Sequence, residues 1–210
     1  GTLASKYRNA GQTCVCANRI LVQESIMEEY SEKLAEAVRG LKVGDGTNEW
    51  VDIGPLIDED AADSVCSMIE DAIEKGANVV LGGGRSKLGG SFVEPTILSD
   101  VTSDMRVFRE EIFGPVSPLV SFRTEEEAIA MANDTEFGLA AYFCARDVGR
   151  IWRVAEGLEY GIIGINEGVI SNPMAPFGGI KESGHGREGS KYGLDDYLDV
   201  KYLCIGGIER

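Results

Sequence analysis

The residues best suited to chemistry form the run Tyr7-Arg8-Asn9-Ala10-Gly11-Gln12-Thr13-Cys14-Val15-Cys16. A cysteine just beyond a helix end, flanked by Gly, Gln and Thr, lies in flexible polar backbone. A thiolate there is within reach of a substrate, and free backbone N–H groups can face a developing oxyanion. On these residues alone, Cys14 is either a nucleophile or a buried structural thiol. The Cys-x-Cys pair also raises metal chemistry, but zinc needs three or four protein ligands. The chain has one histidine, His185, and no second close cysteine pair, so no metal site is expected. A Cys14–Cys16 disulfide would be an oxidative switch, closed across a strained ring.

Two further clusters could take part. Pro176-Phe177-Gly178-Gly179-Ile180-Lys181-Glu182-Ser183-Gly184-His185-Gly186-Arg187-Glu188-Gly189 is dense in glycine. So many glycines cost chain entropy and permit close backbone approach, to a ligand or to another chain segment. Glu110-Glu111-Ile112-Phe113-Gly114-Pro115-Val116 sets an acidic pair before an apolar turn, suited to a sugar hydroxyl or to capping a helix.

The elements that must hold these clusters alternate between helical and extended patterns. Thr2 to Ala10 reads as a short helix with Leu3 and Tyr7 on one face, stopped by Gly11. Arg19 to Gln23 reads as a buried strand. Ser25 and Glu28 have the spacing of a capping box, opening a helix with the stripe Ile26, Tyr30, Leu34, Val38 and Leu41. Asp58 can cap the next helix, whose stripe is Ala62, Val65, Ile69 and Ile73, with Gly76 as its stop. Asn78 to Leu81 is strand-like and runs into Gly82-Gly83-Gly84. Phe92 to Leu98 is extended, and Pro95 suits an edge or a strand end. Thr124 and Glu127 form another capping box, for a helix to about Asn133. Leu139 to Ala145 reads as a strand, Asp147 to Gly157 as a helix and Gly161 to Asn166 as a strand. This alternation predicts an α/β three-layer sandwich around a mostly parallel sheet. The expected division is a thiol-bearing domain over 1–194 and a late strand with its tail over 195–210. That strand, Tyr197 to Leu203, must pair with something, because a bare edge is a liability.

Composition narrows the class. With 210 residues, 43% of them hydrophobic, a sizeable core can be buried. The net charge of -15 argues against nucleic acid, whose phosphates need clustered basic residues, and against an anionic membrane surface. No apolar run approaches the roughly 20 residues that span a bilayer. The start, Gly1-Thr2-Leu3, has neither Met nor signal-peptide architecture, which fits a trimmed or engineered fragment. Five scattered cysteines do not form a disulfide framework, so a reducing compartment is expected: the cytoplasm, or the mitochondrial matrix in a eukaryote. Cys66, Cys144 and Cys204 fall in apolar-periodic stretches and read as inert core thiols. No strand is followed by a Gly-x-Gly-x-x-Gly turn opening a helix, and there is no P-loop, so no nucleotide domain announces itself.

Taken together and in order, the clusters resemble the catalytic domain of the aldehyde dehydrogenase superfamily. The markers are Asn9 to Cys14, Glu110 to Pro115, Asn133 with Phe137-Gly138-Leu139-Ala140-Ala141, and Pro176 to Lys181. The resemblance implies an NAD- or NADP-dependent oxidoreductase with Cys14 as nucleophile, working through a thiohemiacetal and a thioester. It implies that Glu111 holds the nicotinamide ribose and that Phe113 packs beside the cofactor. Phe177 would line the substrate tunnel, and Glu188 would be a second carboxylate that orders water or relays a proton.

Arg8, Cys14-Val15-Cys16, the run Gly161 to Gly168 and the run Gly189 to Gly193 resemble the succinate-semialdehyde dehydrogenase group within that family. An Arg six residues before the nucleophile can clamp the carboxylate of such a substrate bidentately, with Ser171 as a further contact. Cys16 matches that group's second, redox-active thiol. The chain departs from the family in placing His185 between Gly184 and Gly186, where it reads as a loop histidine.

By the same resemblance, the cofactor domain, a general-base Glu and an oxyanion-hole Asn lie upstream of this segment. The isolated chain is therefore expected to be inactive. The late strand is expected to join a neighbouring subunit's sheet in a dimer or tetramer. The other readings that stay open are glutarate semialdehyde as substrate, a cysteine hydrolase or acyltransferase using Cys14 with His185, and a non-catalytic oligomerisation module.

Overall fold

The structure, a computed structural model, describes residues 1–208. A short π-helical turn, Leu3–Tyr7, runs into a 3-10 turn, Arg8–Gly11. There follow β1 (Ile20–Gln23), α1 (Met27–Arg39), α2 (Glu59–Glu74), β2 (Asn78–Leu81), β3 (Thr96–Ser99), α3 (Arg106–Arg109) and β4 (Val116–Phe122). The second half contains α4 (Glu125–Asn133), β5 (Phe137–Gly138), β6 (Ala140–Phe143), α5 (Val148–Gly157), β7 (Ile162–Ile165), β8 (Ile180–Lys181) and a 3-10 helix over Tyr192–Tyr197.

The mixed α/β class expected from the sequence is the one observed. Four strands pair in the order β1-β4-β3-β2. Within that sheet β4 runs parallel to both β1 and β3, and β2 is antiparallel to β3. A separate parallel pair joins β6 to β7, and β5 and β8 form a short antiparallel pair.

The core gathers on the four-stranded sheet. Ile97 and Leu98 of β3 and Val116, Leu119 and Val120 of β4 are buried against Val65, Met68 and Ile69 of α2 and Leu34 and Val38 of α1. Each such aliphatic side chain contributes ~1.5–3 kcal/mol when taken out of water.

The central strand, β4, has no counterpart in the sequence reading. Its run Val-Ser-Pro-Leu-Val-Ser-Phe carries Pro118, which removes a ladder donor and argues against a central strand. The register explains how the proline fits. Val116 to Pro118 pair with β3, and the pairing with β1 begins one residue later, at Leu119. Pro118 sits where the strand changes partners. Pro95 directly precedes β3, as a strand-end proline, although β3 is interior rather than an edge.

Helix starts sort the capping expectations. Asp58 caps α2 by accepting a hydrogen bond from the Ala61 N–H at 2.8 Å. Thr124 and Asp147 cap α4 and α5 in the same way. Ser25 does not cap α1. It lies inside a 3-10 turn, Glu24–Ile26, and α1 begins after Ile26 without a side-chain cap.

Two further expectations need correction. Cys144 and Cys204 are exposed rather than core thiols, and Cys66 is half-buried. No strand forms over Tyr197 to Leu203. The 3-10 helix ends at Tyr197, and the residues after it carry no regular structure. Val200 and Tyr202 are 101% and 85% exposed. Among the described residues this segment has no ladder to join, and a lone apolar strand has nothing to satisfy its backbone. Glu209 and Arg210, the end of the expected tail, lie outside the described residues.

The cap assignment is testable. Asp58→Ala is expected to cost about 1 kcal/mol of stability, whereas Ser25→Ala changes it little. Urea denaturation of the two variants checks the contrast, which disappears if both lose the same amount.

Candidate active site

The loop that carries Cys14 is built from backbone that ordinary residues avoid. Asn9, Ala10 and Gly11 all have positive φ, at 50°, 54° and 77°. Asn tolerates this region, Gly adopts it freely, and Ala is held there by its surroundings. Gly11 is required twice over. A Cβ at Gly11 would lie 2.1 Å from the Gly114 carbonyl oxygen. The turn before Cys14 therefore rests directly on the turn that follows Glu111. Phe113 in that second turn is also left-handed, at φ 50°.

Side chains lock the two turns together. The Asn18 amide donates to the Glu110 carbonyl at 2.7 Å and accepts from the Ile112 N–H at 2.9 Å, so it grips the backbone on both sides of Glu111. Gln12 accepts from the Ile57 N–H at 2.9 Å. The Cys16 N–H donates to Thr13 O at 2.8 Å, and Ala17 N–H to Ser5 O at 2.9 Å. Tyr142, from β6, donates its hydroxyl proton to Val15 O at 2.7 Å.

The Cys14 side chain is exposed, Cys16 is half-buried, and both border one cleft together with Glu111. The cleft holds about 800 Å³. It lies between the bare edge of β1 and the second sheet, and Tyr142 and Cys144 also line it. Arg8 stands in the same neighbourhood. Burial pushes the Tyr142 phenol up to about 12, opposed by the Arg8 guanidinium and reinforced by Cys16 and Cys14. None of the ion pairs among the described residues involves Arg8, and its buried Nε has no hydrogen-bond partner.

The remaining candidates lie apart from this group. Phe177 and Glu188 exchange backbone hydrogen bonds at 2.9 and 2.7 Å, which folds the glycine-rich segment into a narrow ribbon. The Glu188 side chain is exposed on that ribbon. Ser171 is exposed on the loop that begins at Gly168, which packs on the opening turn. Phe113 is 43% exposed. None of Ser171, Phe177, Glu188 and Phe113 borders the cleft. His185 is exposed and does not line it either, so the structure does not bring His185 together with Cys14.

The segment Gly184 to Gly189 does spell Gly-x-Gly-x-x-Gly. A Cβ at Gly186 would lie 2.1 Å from an Asp196 carboxylate oxygen. The turn thus packs on an acidic side chain of its own chain instead of opening toward an anion.

Three residues of the site escaped the sequence reading: Asn18, Tyr142 and Lys6. Asn18 and Tyr142 act through backbone 92 and 127 residues away, which no local pattern shows. Lys6 sits beside the apolar face of the opening turn and is 1% exposed. Burial pushes its ammonium down to about 8, against the pull of Cys16 and Glu111.

A family model described as the Aldehyde dehydrogenase family matches residues 1–203, and the chain belongs to that family. Its relatives include the NADP(+) succinate-semialdehyde dehydrogenase GabD of Escherichia coli (strain K12). That protein is 61% identical over 206 residues, covering 98% of this chain and 43% of GabD. A 3-sulfolactaldehyde dehydrogenase of Pseudomonas putida is 57% identical over 210 residues, covering 100% of this chain and 43% of the relative. The solved structure of succinate-semialdehyde dehydrogenase from Burkholderia pseudomallei superposes with a TM-score of 0.96 at 58% identity, covering 97% of this chain and 42% of that one. The chain spans about two fifths of the length of these relatives.

Lys6 yields a pH prediction. Between pH 8 and 10.5 the unfolded chain keeps a proton that folded Lys6 has released. Stability from this group therefore rises with pH across that window. Lys6→Met is expected to be more stable at neutral pH by roughly 3 kcal/mol, and the difference to shrink toward pH 10.5. Urea unfolding of both proteins across the window checks this; a pH-independent difference would rule out Lys6 as the titrating group.

Proposed function

We propose that this chain is the thiol-bearing part of an enzyme that oxidises succinate semialdehyde to succinate with NAD or NADP. The observation that carries the reading is the exposed Cys14 thiol on a cleft shared with Glu111, with the unpaired Arg8 guanidinium close by.

Each residue has a defined task in this reading. The Cys14 thiolate adds to the aldehyde carbon, holds the acyl group as a thioester and releases it to water. Arg8 fixes the far carboxylate of the substrate through charge-assisted hydrogen bonds, with Ser171 as a second contact. The Glu111 carboxylate is exposed on the cleft and is a suitable acceptor for ribose hydroxyls, which is the fit the cofactor requires. Bound NAD or NADP supplies the hydride acceptor. Phe113, Phe177 and Glu188, like Ser171, lie off the cleft of this chain. By the family resemblance they would pack beside the cofactor, line the approach of the aldehyde and order water for thioester hydrolysis where the longer protein completes the site.

The two relatives are named for aldehydes that bear an anionic group, a carboxylate or a sulfonate. That shared chemistry supports a cation as the selective element. Glutarate semialdehyde, one methylene longer, is the alternative substrate. Exposed Tyr197, Leu198, Val200, Tyr202 and Leu203 supply the apolar tail that pairs with a neighbouring subunit in the proposed dimer or tetramer.

Two experiments on the longer protein containing this chain test the reading. Arg8→Ala is expected to raise KM for succinate semialdehyde about tenfold or more while hardly changing it for an uncharged aldehyde. Equal effects on both substrates would defeat the assignment. Removal of residues 197–210 is expected to lower the mass seen by light scattering to that of a smaller assembly. An unchanged mass would exclude the tail as the contact.

A further inference from the structure

The two thiols of the cleft are separated by one residue, Val15, and of the two peptide units between them the second, Val15–Cys16, has both polar ends held. The Cys16 N–H donates to Thr13 O at 2.8 Å, within the loop. The Val15 carbonyl of the same unit accepts from the Tyr142 hydroxyl at 2.7 Å, from the other sheet. The Val15 side chain is buried at 2% exposure and anchors the middle of the triplet.

The Tyr142 ring is itself positioned by what it faces. Its partner across the β6–β7 ladder is Gly164. A Cβ at Gly164 would lie 2.7 Å from the Tyr142 ring and 2.8 Å from Ile170. The absence of a side chain on β7 gives the aromatic ring its seat and aims its hydroxyl at the loop. Burial keeps the phenol protonated through the neutral range, so it stays a donor.

We propose that Tyr142 is a positioning residue for the Cys14-Val15-Cys16 triplet, and that its hydroxyl restrains the two thiols from closing into a disulfide. The inference rests on the reading of Cys14 as the reactive thiol. A disulfide needs its two Cβ atoms about 3.8 Å apart and a torsion near 90°. In Cys-x-Cys those demands fall on the intervening peptide planes, so a plane held at both ends resists closure. With hydrogen peroxide as oxidant, one thiolate attacks a peroxide oxygen, the O–O bond breaks, and water and a sulfenic acid result. The second thiol then attacks that sulfur, the S–S bond forms and a second water leaves. Two thiols and one peroxide give one disulfide and two waters.

The test uses the chain as it stands. Tyr142→Phe keeps the ring on Gly164 and removes one hydrogen bond. Under dilute peroxide, the paired loss of the Cys14 and Cys16 thiols is expected to run about three- to tenfold faster than in the parent, the effect of one neutral hydrogen bond. Peptide mapping assigns the disulfide, and Cys16→Ser abolishes it. Hydrogen exchange separates positioning from general loosening: the Cys16 amide is expected to lose protection while β6 and β7 keep theirs. An unchanged or slower closure rate overturns the proposal. So does loss of protection throughout β6 and β7, which would make Tyr142 a structural residue only. Failure of Cys14 as nucleophile would show separately, as turnover surviving Cys14→Ala in the longer protein.

Discussion

Gly11 lies against the backbone of Gly114 so closely that no side chain fits between them, and the rest of the site follows from that contact. An added Cβ would fall 2.1 Å from one backbone oxygen and 2.5 Å from its carbon. Two turns that each contain left-handed non-glycine residues are pressed together, Asn9 and Ala10 on one side and Phe113 on the other. Such residues cost on the order of 1–3 kcal/mol apiece and persist only where the surroundings over-determine them. The surroundings here are specific. Asn18 bonds both flanks of Glu111, Gln12 reaches Ile57, and β4 carries the second turn into the centre of the sheet. As a result Cys14 and Glu111, 97 positions apart in the sequence, are fixed on one cleft.

The parts of this arrangement that were legible in the sequence are those with local periodicity. Ala62, Val65 and Ile69 of the α2 stripe, the Asp58 cap and the strand Asn78–Leu81 follow from spacing alone, whereas Ile73, the last residue of the expected stripe, is exposed and Met68 and Ala72 complete the buried face. The glycine and cysteine of the loop from Asn9 to Cys14 stood out because their residue types are costly or reactive. The central strand did not, because Pro118 is a breaker by any local rule, and only the change of partner at Leu119 makes room for it. Ser25 had the spacing of a cap, but Glu24–Ile26 tightens into a 3-10 turn, and α1 starts too late to use it. Cys144 was misread because β6 looks like a core strand, although its outer edge borders the cleft. Asn18 and Tyr142 are polar residues whose meaning lies wholly in distant partners, and Lys6 is a charge whose burial no local pattern shows.

The charge pattern adds a last step. The chain is acidic overall, at -15, and most of its arginines that border helices are spoken for. Arg106 pairs with Glu110, and Arg150 and Arg153 both pair with Glu125. Among the described residues Lys6 and Arg8 belong to none of the ion pairs, yet they lie two residues apart in the turn before Cys14. A buried cation without a partner is destabilising, as the lowered ammonium of Lys6 shows. On the reading of an anion-bearing aldehyde, that cost has a use. A net negative protein repels such a substrate at long range, but at physiological salt the repulsion fades beyond about 8 Å. Discrimination then depends on what the substrate meets at contact. An Arg8 already satisfied by a carboxylate of its own chain would have to exchange one anion for another, with little net gain. Left without one, it can contribute a full charge-assisted pair to a bound anion.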